Sequence, residues 1–407
     1  MEHSFDTEIA REGTNSLKWE FVQDEHSLLQ FNQTARFFGK DRVLPLWVAD
    51  MDFRCPAPVV EALSARAEHG IYGYSAPTEA FYDSVVSWMK RRHQWAIEPD
   101  WICITPGVVP ALNMLVRTYI SQGDKVLIQP PVYYPFYMAV ENNQAEVAAN
   151  PLLYEEGTYR MDLADLESKA RDSKVKMAIL CSPHNPVGRV WTKDELMEFG
   201  QICAENDVLI VSDEIHGDLV HDGYTFVPFA SLDHEFAQRS IICTAPSKTF
   251  NMAGLLTSCI IIPDENLRSR FEETLLSNGL IVQGCFGLTA LQVAYDQGEK
   301  WLEQVRAYIE SNLEYLEEYI EIHMPQIRVV RPEGTYLVWL DCRGLGLEGD
   351  NLSQLIMEEA KVYLDNGNIF GPEGEGFQRI NLACPRPLLT EALDRINYAI
   401  SELNQQN

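Results

Sequence analysis

The sequence predicts an α/β protein: a large domain whose mainly parallel sheet is covered by helices, plus a smaller α+β domain. Three observations carry this. Short, continuous apolar runs alternate with segments of helical period through the middle of the chain, the pattern of strands buried on both faces. The 407 residues, at roughly 150 per domain, suit two to three domains. Hydrophobic residues make up 46% and charged residues 23%, which is ordinary globular composition rather than that of a disordered chain.

Taken in order, the first 50 residues read as irregular. Helices are predicted over 57–68 and 78–93. Strands follow at 101–104, 125–129, 175–181, 208–212, 240–244 and 255–262, with helices over 109–120, 163–170 and 193–205. Thr192 and Glu195 have the spacing of a capping box at the start of the last of these. An amphipathic helix over 299–323 leads into a hairpin, 327–331 with 335–341, around Pro332-Glu333-Gly334. A further helix, a strand at 379–383 and a terminal helix from 390 complete the chain. The large domain is assigned to 61–290 and the small one to 1–60 with 291–407, because chain termini commonly lie close together.

Charge narrows the partners. A net charge of −28 repels phosphate backbones and anionic lipid headgroups, and no basic arm or helix-turn-helix extension is present, so neither nucleic acid nor membrane is expected. Nine scattered cysteines without a CxxC pair point to a reducing compartment, and the start lacks the charged and apolar regions of a signal peptide. A cytoplasmic protein is expected. No apolar run reaches the length of a membrane span. His216, His221 and His234 form no recognisable ligand set, so no metal is expected. Rossmann and Walker A glycine motifs are absent.

In open α/β sheets, ligands collect beyond the carboxyl ends of the strands. The residues at those places are Thr105-Pro106-Gly107-Val108-Val109, Ser182-Pro183-His184-Asn185-Pro186, Asp213-Glu214-Ile215-His216 and Ala245-Pro246-Ser247-Lys248-Thr249-Phe250-Asn251. Each alone reads as a turn, a helix cap or a solvated lysine. Their order, each at a strand end, is far more specific. Together with Trp47-Val48-Ala49-Asp50-Met51-Asp52-Phe53, Tyr72-Gly73-Tyr74 and Pro130-Pro131-Val132-Tyr133-Tyr134-Pro135-Phe136, the chain resembles the fold type I enzymes that use pyridoxal 5′-phosphate, the aspartate aminotransferase superfamily. Within it, the chain resembles the MalY/PatB family of cystathionine β-lyase-like C–S lyases.

The resemblance implies a role for each residue. Lys248 holds the cofactor through its amine and, once released, takes the substrate Cα proton, a task eased when burial and neighbouring cations lower a lysine pKa. Asp213 faces the ring nitrogen, Asn185 and His216 the ring oxygen, and Tyr133 stacks on the ring. The N–H groups of Gly107, Val108 and Val109 and the Ser247 hydroxyl hold the phosphate at a helix N-terminus. Tyr74 reaches the phosphate of a neighbouring subunit in a homodimer. Arg379 binds the α-carboxylate of an amino-acid substrate through its planar fork, with Ala49 adding a backbone donor. Tyr134 serves as acid near the leaving group. Other readings stand beside these: a buried structural histidine for His216, core or interface aromatics for Tyr72 and Tyr74, a surface ion pair for Arg379, a structural hydroxyl for Tyr134.

Fold does not fix the reaction. Many aminotransferases carry an arginine eight residues past the lysine, where this chain has Leu256, and Ser or Thr three before it, where it has Ala245. Both departures agree with the C–S lyase branch. The resemblance implies α,β-elimination of cystathionine or another S-substituted cysteine, with a class I/II aminotransferase as the alternative.

Overall fold

The structure is a computed structural model that describes residues 4–20, 22–24, 27–32, 43–347 and 350–406. The chain divides into two compact units, Arg54–Glu303 with Glu333–Thr335, and Met1–Phe53 with Gln304–Pro332 and Tyr336–Asn407. The sequence reading placed the breaks at 60/61 and 290/291.

The larger unit is built on seven strands: β1 (Ile102–Thr105), β2 (Lys125–Ile128), β3 (Glu146–Ala149), β4 (Val175–Cys181), β5 (Leu209–Asp213), β6 (Ser240–Thr244) and β7 (Ser258–Ile261). They lie in the order β1-β7-β6-β5-β4-β2-β3. Every residue of β1, β6 and β7 is buried, as a sheet covered on both faces requires. The helix Val108–Tyr119 turns Ala111, Leu112, Leu115 and Val116 into a core with Val126, Ile128, Met177 and Ile179. Helix Lys193–Glu205 opens on the capping box: Glu195 N–H donates to Thr192 Oγ1 at 3.2 Å, and Thr192 N–H donates to Glu195 Oε2 at 2.8 Å.

The sheet departs from an all-parallel reading at β7, which is antiparallel to both β6 and β1. Only a four-residue helix and a short 3₁₀ turn separate β6 from β7. No full crossover helix carries the chain back, so it returns in the opposite sense. β3 escaped the sequence reading because it pairs only with β2 at the sheet edge and is half solvated.

The smaller unit contains an antiparallel sheet in the order Arg328–Val330, Leu337–Asp341, Phe377–Asn381, Asp365–Asn366. Leu313, Leu316 and Ile320 of helix Glu299–His323 and Leu389, Leu393 and Ile396 of helix Arg386–Gln406 share a core with Val338, Leu340 and Ile380. The N-terminal residues are less irregular than expected. Leu17–Glu20 is a helical turn, and Leu44–Pro45 pairs in parallel with Val362–Tyr363. Among the described residues, no helix is long and apolar enough to cross a membrane, and no cluster of His, Cys, Asp and Glu could hold a metal ion.

Candidate active site

The carboxyl ends of β4, β5 and β6 are neighbours in the larger unit's sheet, and the loops leaving them are tied together through backbone bonds. Ser182 N–H donates to the Asp213 carbonyl at 3.0 Å, and Glu214 N–H to the Cys243 carbonyl at 2.8 Å. Tyr133 N–H donates to the Asn185 carbonyl at 3.1 Å. The segments bearing Tyr133, Asn185 and Asp213 therefore share one frame. Tyr133 and Tyr134 are half-buried with ring centroids 5.3 Å apart, and Tyr133 meets Phe136 edge-on.

Gly107 links β1 to helix Val108–Tyr119 with φ of +135°. A Cβ there would lie 3.4 Å from Pro110 Cδ in a backbone region that side chains rarely adopt. The first helical bond runs from Ala111 N–H to the Gly107 carbonyl at 3.2 Å, and Pro110 carries no N–H. The amides of Gly107, Val108 and Val109 thus stand ahead of the helical ladder, at the positive end of its dipole.

Asp213 ends β5 and is buried. Burial pushes its carboxyl up to about 7, against the Ile215 N–H donated to Oδ1 at 3.2 Å and the charge of Lys248. Burial likewise pushes Glu214 up to about 8, although Phe229 N–H and the Ser212 hydroxyl both donate to its Oε1. Ser247 and Lys248 are half-buried on the one-turn helix Pro246–Thr249. His216 is buried, its carbonyl accepting from Leu219 N–H at 2.9 Å. Leu256, eight residues past the lysine, is exposed and in the left-handed region with φ of +48°. Tyr74 is 98% exposed, near Ile71 and Tyr72, and the Ser75–Gln283 bridge brings exposed Ile281 and Val282 alongside.

In the smaller unit, Arg379 is buried on strand Phe377–Asn381. It pairs with Asp365, donates to the Trp47 carbonyl at 3.1 Å, and lies 4.8 Å from the Phe370 ring centroid. The ion pair that the sequence left open exists, but it is internal rather than on the surface. Burial raises the Asp365 carboxyl while Arg379 draws it down. Three side chains clamp the segment containing Ala49. Asn381 Nδ2 donates to the Val48 and Asp50 carbonyls at 2.7 Å each, the Tyr336 hydroxyl donates to the Ala49 carbonyl at 2.9 Å, and Arg379 holds Trp47.

An ion network fixes the same segment from the N-terminal side. Lys18 Nζ is 2.6 Å from Asp52, Arg11 bridges Asp50 at 2.7 Å and Asp52 at 3.0 Å, and the Trp19 indole N–H donates to Asp52 at 2.7 Å. Sequence reasoning singled out none of Lys18, Arg11, Asp365, Asn381 or Tyr336. The one signal in the sequence is the closely spaced pair Asp50 and Asp52, two acids on either side of Met51 in an otherwise apolar stretch.

The donor set of the larger unit fits pyridoxal 5′-phosphate. Aligned amides at a helix start suit a phosphate, and a glycine keeps the approach open. A buried carboxylate with a single backbone donor on its side chain suits a protonated ring nitrogen, which would supply the cation that burial demands.

Comparisons with known proteins agree. Residues 41–396 match the profile of the family "Aminotransferase class I and II". The chain is 44% identical to cystathionine beta-lyase PatB of Bacillus subtilis, covering 98% of this chain and 100% of PatB. It is 32% identical to protein MalY of Escherichia coli, covering 97% and 98% of the two chains. The solved structure of cystalysin from Treponema denticola, which contains a pyridoxal 5′-phosphate cofactor, is 39% identical with a TM-score of 0.94, covering 99% of this chain and 100% of cystalysin. A glycine-opened amide cradle, a buried carboxylate beside a lysine turn and sequence likeness along nearly the whole chain lead to one assignment: the chain belongs to the class I and II aminotransferase family, in the group that holds PatB and MalY.

Proposed function

We propose that this protein is a pyridoxal-phosphate-dependent carbon–sulfur β-lyase. It eliminates the thiol from L-cystathionine or a related S-substituted L-cysteine, and water hydrolyses the released aminoacrylate to pyruvate and ammonia; from cystathionine the thiol is homocysteine. The observation that carries this reading is the 44% identity with cystathionine beta-lyase PatB over the full length of that enzyme. The absence of a cation at Leu256 supports the lyase reading over an aminotransferase.

Bound pyridoxal 5′-phosphate supplies an electron sink for the charge left when the substrate loses its Cα proton. The chain's residues do the rest. The Gly107, Val108 and Val109 amides and the Ser247 hydroxyl bind the phosphate, and Tyr133 stacks on the ring. The Asp213 carboxylate keeps a proton on the ring nitrogen, while Asn185 and His216 donate to or accept from the ring oxygen. The Lys248 amine holds the cofactor and afterwards accepts the Cα proton at Nζ. The Tyr134 hydroxyl gives a proton to the departing sulfur. Arg379 and the Ala49 N–H bind the substrate carboxylate, and the Asp365 pairing sets the guanidinium plane. The protein acts in the cytoplasm as a homodimer, with Tyr74 donated to the partner's phosphate site; the exposed Ile71, Tyr72, Ile281 and Val282 support an interface there.

The test is a purified sample given L-cystathionine with no keto acid. Release of pyruvate and free thiol is expected, and Lys248→Ala loses both this activity and the visible absorbance of lysine-bound cofactor. A strict need for a keto-acid acceptor without thiol release would sink the lyase reading.

A further inference from the structure

A buried carboxylate that the reaction above does not use stands directly behind the lysine turn. Asp218 lies five residues beyond Asp213, in the turn after β5, and is buried. Its Oδ2 accepts from the Thr249 hydroxyl at 2.7 Å. Its Oδ1 accepts from the Trp88 indole N–H at 3.1 Å and lies 2.9 Å from His93 Nε2 and 4.0 Å from Arg92 Nε. Burial pushes this carboxyl up, but His93, Thr249 and Arg92 together hold it below its ordinary value. It is therefore ionised, and the Thr249 hydrogen bond is charge-assisted, roughly twice as strong as a neutral one.

Trp88 and the residue after Thr249 are themselves tightly packed. The Trp88 ring stacks on Tyr295 at 5.0 Å and 9° and meets Phe250 edge-on at 5.6 Å. Phe250 follows Thr249 and is fully buried, so tightly that a Cβ on Gly298 would fall 2.5 Å from its ring. The four-residue helix Pro246–Thr249 is too short to hold its own shape; Phe250 N–H closes on the Pro246 carbonyl and Met252 N–H on the Ser247 carbonyl, each at 2.9 Å. The next two residues after Lys248 are both anchored, Thr249 to Asp218 and Phe250 in the aromatic cluster.

We propose that Asp218 is a positioning residue for Lys248, acting through the Thr249 hydroxyl to fix the turn from which the lysine amine extends. The inference rests on Lys248 being the cofactor-bearing lysine. It assigns Asp218 no contact with substrate or cofactor.

Thr249→Val removes the hydroxyl while keeping the branched shape, and Thr249→Ser restores the hydroxyl. On the holoenzyme, Thr249→Val is expected to lower kcat about tenfold with KM held within about twofold, as loss of a charge-assisted bond behind the lysine predicts. It is also expected to shift the pH midpoint of the cofactor's visible absorbance by about 0.5 unit or more, a readout that simple loss of stability does not move. Thr249→Ser should return both values toward wild type. Wild-type kcat or a wild-type midpoint in Thr249→Val, or equal impairment in Thr249→Ser, overturns the proposal. Should the valine variant fail to accumulate, Asp218→Asn is measured the same way, with the same shift expected and a wild-type midpoint overturning it. The two levels separate cleanly. Retention of the visible absorbance in Lys248→Ala refutes the functional reading, whereas its loss there alongside a wild-type Thr249→Val refutes only the role of Asp218.

Discussion

Asp52→Ala tests the network that holds the Ala49 segment. In the native protein Asp52 accepts from Lys18, Arg11 and Trp19, and Lys18 is wholly buried. Removing the carboxylate leaves the Lys18 ammonium with Asp50, whose Oδ1 is 3.8 Å away and whose carbonyl is at 3.3 Å. Breaking a buried ion pair by deleting one partner costs about 3–5 kcal/mol, and losing the Trp19 hydrogen bond to a carboxylate costs about 1.5–3 kcal/mol. The two overlap because they share one site, and Asp50 retains part of the Lys18 interaction, so the low end applies: about 3 kcal/mol. Urea unfolding followed by tryptophan fluorescence measures it. The double change Lys18→Met with Asp52→Leu should be less damaging, since apolar replacement of both partners removes the desolvation cost as well as the attraction. A loss below about 1 kcal/mol for Asp52→Ala, or a double variant weaker than the single, would refute the assignment of this network as a structural anchor.

Two further outcomes follow from the site. Burial raises the Asp213 carboxyl to about 7, so the folded cofactor-free protein binds more protons than the unfolded chain between the ordinary carboxylate range and that value. Stability then falls as pH rises through this window, and the drop in melting temperature from about pH 5 to about pH 7 should be smaller in Asp213→Asn; an equal drop contradicts the assignment. For Tyr74, mixing Tyr74→Phe with Lys248→Ala under conditions of subunit exchange should restore up to about a quarter of wild-type activity, because each mixed dimer carries one site with both native residues. Activity no greater than the sum of the separate variants argues against donation of Tyr74 across a dimer.

Local patterns located the elements whose ends are marked in the chain itself. Ala57–Glu68, Val175–Cys181 and Lys193–Glu205 begin and end at their predicted residues, and the Thr192–Glu195 box forms both its bonds. Elsewhere, pairing overrode pattern. The strand read at 379–383 lies at Phe377–Asn381 because it is registered against Leu337–Asp341, with Trp339 opposite Arg379. The terminal helix starts at Arg386 rather than 390, because Pro387 falls in the first turn, where its missing N–H costs nothing.

The sequence by itself determined the fold class, the strand-end residues and their order, because hydrophobic period, caps and turn chemistry act between near neighbours in the chain. Gly107, Asn185, Asp213 and Lys248 could be picked out by place for that reason, each just past a recognisable strand, while the roles proposed for them come from the resemblance. The tertiary structure alone decided which side chains from distant segments meet. Lys18 with Asp52, Thr249 with Asp218 and Arg379 with Asp365 are pairs drawn from separate elements. An ion pair depends on which elements pack together and how far water is excluded between them, and neither quantity is written in the spacing of a single segment.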